Sequence, residues 1–378
     1  MYGFRGKNVL RNMLLVTMVC GALSYHLFPI PSSVWRISFV GLCLLCIFLR
    51  GCERKISSVE VALLTFLGIN FLYFIGAVSN ASILSMTAMG GIFMSLTSLS
   101  AFAFLGNNNL MQPKVIAVAF FILLVASIEF FYYMRDNLLV EGMLDEDDGV
   151  TNNAGVAFVV LLPWLFLLKK KWLALSGLFV CLFFIVYSAK RGDILASIIP
   201  VGLFIYLFVR EQKGWWRRCI FIISIVAVLL VGGMAFLNAN EYLQQRLEDT
   251  VAGNSSGRDA IFRSAWNCWY YADDVQFWGG HGFLATIPQI GKMAHNDWLE
   301  ILVDYGVLGV GVYLIIFCLF AHMIGRESNI RYRMVLLSCV SIWILKSLYS
   351  MAYLEALWAV MLAPAGMVIG WRNTGNKP

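Results

Sequence analysis

The stretch KMAHNDWLEILVDYGVLGVG, Lys292 to Gly311, sets His295, Asn296, Asp297, Glu300 and Asp304 close together, directly before an apolar run. An imidazole near neutral pH can take a proton from a hydroxyl or, as a cation, stabilise a phosphate. Two other places carry matching chemistry. Arg258, in SGRDAIFRSAW, falls in the first turn of an expected helix, where backbone N–H groups and the helix dipole favour an anion. Its guanidinium adds forked hydrogen bonding suited to phosphate. Arg263, further along the same helix, points roughly 140° away from it. Lys190 and Arg191, in IVYSAKRGDILA, form a second basic point at the end of an apolar run. Charge there is costly, which points to partners or function, against the plainer reading of snorkelling toward headgroups. Two arginines and a histidine describe a site for a diphosphate leaving group and a hydroxyl nucleophile.

The elements that must position these residues belong to a membrane. With 60% hydrophobic and 13% charged residues and a mean hydropathy of +0.77, the chain carries about half the charge of a soluble domain. Apolar runs long enough for a hydrocarbon core of about 30 Å predict an all-α polytopic protein. Twelve spans are expected, near 13–29, 34–49, 58–78, 84–105, 115–133, 154–168, 172–188, 194–209, 219–237, 307–324, 334–351 and 355–371. With the N-terminus inside, nineteen of the twenty-eight Lys and Arg fall in cytoplasmic segments, which puts both termini in the cytoplasm. The first span reads as a retained anchor. Lys346 and Glu60 fall close enough to span ends to snorkel. The net charge of +6 follows from this topology and carries no nucleic-acid reading. Eight of nine cysteines lie in or beside spans, leaving Cys268 alone in an outer loop and no zinc spacing.

Two outer segments are long. YMRDNLLVEGMLDEDDGVTNN is acidic; its Asp145 and Asp147 offer an alternating carboxylate pair for a divalent cation, though such runs are commonly just solvated. The other, Asn238 to Asn296, reads as a folded cap. Tyr242, Leu243 and Leu247 suit a short amphipathic helix, Ser256 caps a second with Asp259 three residues on, and Asp297 and Glu300 repeat that capping spacing. The chain therefore divides into 1–237 with spans one to nine, 238–306 as the outer cap, and 307–378 with spans ten to twelve and a tail. Asn296, Asp297 and Glu300 are expected to cap and orient the helix presenting His295, and Asn296 and Glu300 are further candidates for touching substrate.

Taken in order, YSAKRGDILA, SGRDAIFRSAW, and GGHGF followed by AHNDWLEILVDYGVLGVG resemble the motif succession of the O-antigen ligase and O-antigen polymerase (Wzy-type) superfamily of bacterial envelope glycosyltransferases. The last piece is the most specific. The resemblance implies a GT-C-type fold with a helical periplasmic cap between spans nine and ten, in the bacterial inner membrane. It implies inverting transfer, without metal or cofactor, from an undecaprenyl-diphosphate-linked glycan on the periplasmic side. Its functional residues fall on Arg191, Arg258 and His295. Here the tryptophan of the loop helix is displaced relative to Arg258 but follows Arg263 at three residues, so the choice between those arginines stays open.

Both branches use the same donor chemistry. A polymerase extends a lipid-linked repeat unit, whereas a ligase transfers the chain to lipid A–core. Polymerase is the favoured expectation, because capsule, exopolysaccharide and O-antigen systems each need one; a chain-length regulator would then be a partner. The rival from another class is a lipid-linked-oligosaccharide transporter, which should show polar or broken helices at the bilayer midplane.

Overall fold

The computed structural model describes residues 2–23, 27, 31–52, 56–77, 82–140, 153–188, 190–211, 214, 216 and 258–374. Every regular element among them is helical. The long helices are α1 (Tyr2–Ala22), α2 (Ser32–Cys52), α3 (Ser58–Gly76), α4 (Ile83–Asn107) and α5 (Pro113–Val140). After two short turns of helix, α6 (Val156–Val159) and α7 (Leu162–Leu165), come α8 (Lys171–Tyr187) and α9 (Arg191–Arg210). Three short helices, α10 (Arg258–Tyr270), α11 (Asp274–Gly279) and α12 (Thr286–Ile290), precede α13 (Asp297–Gly325), α14 (Ile330–Tyr349) and α15 (Trp358–Thr374).

Seven of these, α2, α3, α4, α5, α9, α13 and α14, are long and apolar enough to cross a membrane, which makes this an all-α, multi-span membrane protein. The expected ninth span, 219–237, lies outside the described residues, as do the acidic run Asp145–Asp148 and the cap segment through Ser256.

The centre of the bundle is the pairing of α4 with α15. Close approach is built in by small residues: a Cβ on Gly366 would meet Leu99 O at 2.3 Å, and one on Gly370 would meet Ala103 O at the same distance. A glycine every fourth residue opens such a seam between apolar helices, where packing rather than hydrophobicity drives association.

Two expectations are corrected here. The run 154–168 is not one spanning helix but a 3₁₀ turn and two single turns of α-helix, with Ala154 to Leu168 buried throughout. Irregular backbone is tolerated at that depth because protein, not lipid, surrounds it. Lys346 and Glu60 do not snorkel. Glu60 is fully buried 2.6 Å from Arg50, where it also completes a capping box with Ser57, and Lys346 is fully buried 2.6 Å from Asp193. A charge removed from water needs a partner at contact distance, and each has one.

The segment between α10 and α13 folds onto α13 through a small core of its own. Ala265, Ala285, Ala294 and Val303 are buried together, with Trp269 and Leu299 packed around them. Trp269 also stacks on Phe277 and donates to its carbonyl at 3.1 Å.

Candidate functional site

The site is built on one face of α13. Asp297, Glu300 and Asp304, spaced i, i+3 and i+7, are all fully buried, and each holds a different piece of chain. Asp304 accepts from the N–H groups of Leu284 at 3.0 Å and Ala285 at 2.8 Å. Glu300 accepts from the Thr286 hydroxyl and from Ala294 N at 2.7 Å. Asp297 accepts from Ala352 N at 2.8 Å and from the Tyr313 hydroxyl at 2.9 Å. Buried polar groups need partners, and here those hydrogen bonds fasten three loops to one helix.

The helix itself is broken where this face ends. Gly306 has φ 62° and ψ −160°, and a Cβ there would meet the carbonyl of Trp278 at 2.5 Å. The facing Gly280, at φ 77°, leaves no room for a Cβ either: it would lie 2.3 Å from the Asp304 carbonyl. His281 N and Gly282 N then donate to Val303 O and Asp304 O, the carbonyls released by the kink. The glycines of GGHGF thus dock a loop into a break in α13.

His295 stands on the link between α12 and α13. Ala294 is pinned by Glu300, and Asn296 is the N-cap of α13, its Oδ1 accepting from Leu299 N at 3.1 Å. Between these fixed neighbours His295 adopts φ 53°, in the left-handed region that non-glycine residues seldom occupy, and its side chain is exposed. Such outliers cluster at functional sites. The cap therefore lies one residue before the expected one: Asp297 reaches Tyr313 and Ala352, and Glu300 reaches Thr286 and Ala294 instead of closing a capping box.

Arg258 comes to this link by way of α14. The last carbonyls of a helix lack intrahelical partners and attract cations. Arg258 Nη1 donates to Tyr349 O at 2.9 Å, and Asn296 Nδ2 donates to Leu348 O at 3.0 Å. Lys190, half-buried at the N-cap of α9, is tied to the same end of α14: its carbonyl accepts from Asp193 N at 3.0 Å, and Asp193 pairs with Lys346 at 2.6 Å. Although solvent still reaches the ring, its partial burial, and then the charges of Arg258, Lys190 and Lys292, hold the His295 imidazole below its ordinary pKa. Burial also lowers Lys190, aided by Lys346 and Arg258 and opposed by Asp193 and Glu355. The arrangement keeps a neutral base beside cations.

Of the residues singled out in the sequence, Lys190, Arg258 and His295 are brought together. Arg191, the first residue of α9, directly follows Lys190, whose charge acts on His295. Arg263 is exposed further along α10. Glu300 has both oxygens engaged inside the protein. Sequence reasoning missed the Asp193–Lys346 pair beneath Lys190; the signal was Lys346 itself, a cation inside an apolar run that needed an acid. Among the described residues no three His, Cys, Asp or Glu side chains converge as metal ligands.

Fold and site together define a multi-span helical membrane protein that gathers cations around a histidine at the rim of its bundle. Residues 175–314 match the family model described as O-antigen ligase, which bears out the resemblance drawn from the motifs and supports a Wzy-type envelope glycan-handling protein. Lys190, Arg258 and His295 all lie inside the matched stretch. A comparison with curated proteins gives no match.

Proposed function

We propose that this protein transfers a glycan from undecaprenyl diphosphate to a glycan hydroxyl at the periplasmic face of the bacterial inner membrane. The observation that carries the reading is the mutual placement of His295, Arg258 and Lys190 within the family-matched stretch. His295 takes the proton of the acceptor hydroxyl as its oxygen attacks the anomeric carbon from the side opposite the diphosphate. The bond from that carbon to the diphosphate oxygen breaks, the configuration inverts, and the charge developing on the diphosphate is stabilised by Arg258 and Lys190 with Arg191 alongside. No metal or cofactor enters the scheme. Arg263 and Asn296 are the further candidates for contacting substrate.

In this reading 238–306 forms the periplasmic cap, and the isoprenoid tail of the donor lies among membrane lipids. The family description favours ligation to lipid A–core over polymerisation of lipid-linked repeat units. The test is transfer by purified protein in liposomes without metal, offering a cognate lipid-linked donor with each acceptor in turn. Product on lipid A–core alone supports the ligase. Elongated lipid-linked glycan would make it a polymerase acting with a chain-length regulator, and no transfer to either acceptor would overturn the reading in favour of transport.

A further inference from the structure

A second concave surface lies on the far side of α10. Ser264, Asn267, Cys268 and Tyr271 are spaced i, i+3, i+4 and i+7 and so share one helix face. With Gln276, His281 and Gln289 they line a cavity of about 520 Å³. By helical geometry these four positions are turned roughly 80–180° away from Arg258 around the helix. It is therefore distinct from the cationic site, though the two share α10 and the link from Gln289 to His295.

The chemistry of the lining names a ligand class. No Lys, Arg, Asp or Glu contributes, which disfavours a phosphate or any other ion. What it presents are a hydroxyl and three carboxamides, groups that both donate and accept, beside an imidazole and the ring of Tyr271, 79% exposed. Among the described residues the side chains of Ser264, Asn267, Gln276 and Gln289 have no hydrogen-bond partner, whereas His281 Nε2 meets Cys268 Sγ at 3.7 Å. A few convergent polar groups in a cavity of several hundred cubic ångströms are the makings of a binding site.

We propose that this cavity is a distal glycan subsite, binding uncharged sugars remote from the reacting end of a multi-unit chain. The inference rests on the transfer reading for its purpose, because binding energy from remote parts of a substrate is what positions the reacting end. On this proposal the effect depends on chain length: a chain long enough to engage both His295 and the cavity gains from the subsite, and one that engages His295 alone does not.

The experiment uses full-length protein and the Asn267→Ala/Gln289→Ala double variant, both positions being exposed and outside the transfer machinery, with Tyr271→Ala as a second variant. The probes are free oligosaccharides of one and of many repeat units, released by mild acid from the host's lipid-linked glycan. Binding is read by saturation-transfer NMR and transfer by initial rates. Expected is a roughly tenfold loss of affinity for the long oligosaccharide, from two hydrogen bonds removed. KM for long substrates rises similarly, single-unit substrates behave as with wild type, and kcat holds. A rise confined to donor KM or to acceptor KM assigns the cavity to that substrate. Variants that bind and turn over long chains like wild type overturn the subsite while leaving transfer intact. Loss of long-chain binding in a protein that shows no transfer would keep the subsite and overturn the transfer reading.

Discussion

At the scale of residues, the site holds a histidine kept neutral among cations. Because burial and the charges of Arg258, Lys190 and Lys292 hold His295 below its ordinary value of 6.5, its base form persists to lower pH than a free imidazole would allow. The acidic limb of a kcat/KM profile therefore falls below pH 6.5, and Lys190→Met moves that limb upward by removing a repelling charge. A limb that stays in place would separate the two residues. Arg258→Ala is expected to lower kcat by roughly 10²–10³-fold, as loss of one preorganised charge-stabilising group does, and Arg258→Lys to recover only part of it. Initial rates on the same donor measure both. His295, Arg258 and Lys190 were legible because imidazole and cations are conspicuous outside apolar runs. That the chain brings Lys190, Arg258 and His295, far apart in sequence, to the same helix ends was not legible, because it depends on how α9, α10 and α14 pack.

At the scale of elements, α13 organises the site. Its three acids hold three loops, and its break at Gly306 receives the loop that Gly280 makes possible. Asp304→Ala would leave the N–H groups of Leu284 and Ala285 buried without partners, at about 1–3 kcal/mol each. Thermal unfolding in detergent should show a midpoint several degrees lower, and an unchanged midpoint would mean water replaces the carboxylate. Gly306→Ala should be at least as damaging, because a Cβ there meets backbone at 2.5 Å and the positive φ is strained for alanine. The three acids were conspicuous in the sequence directly before an apolar run. Their partners, some sequence-distant, were not, so Asp297 and Glu300 read as a local cap. The run 154–168 misled for a related reason: an apolar stretch buried in protein and one facing lipid look alike.

At the scale of the whole molecule, a membrane bundle carries two buried ion pairs, Arg50–Glu60 and Lys346–Asp193, the second next to Lys190, whose carbonyl accepts from Asp193 N. Removing one partner strands a charge, at roughly 3–5 kcal/mol, whereas replacing both by apolar residues is close to neutral. Lys346→Met should therefore destabilise more than Lys346→Met with Asp193→Leu, and a double-mutant cycle on thermal midpoints reads the coupling. The multi-span helical class was plain from hydropathy alone, while these pairs, 10 and 153 residues apart in sequence, could only be found once the helices were packed. What the bundle holds in place is the site at its rim, and the most direct test of that site is release of undecaprenyl diphosphate from a cognate lipid-linked glycan in liposomes, comparing wild type with a folded His295→Ala. Wild type is expected to release it only when acceptor is present and the variant to lose nearly all release; equal release by both, at equal thermal stability, would rule out His295 as the base.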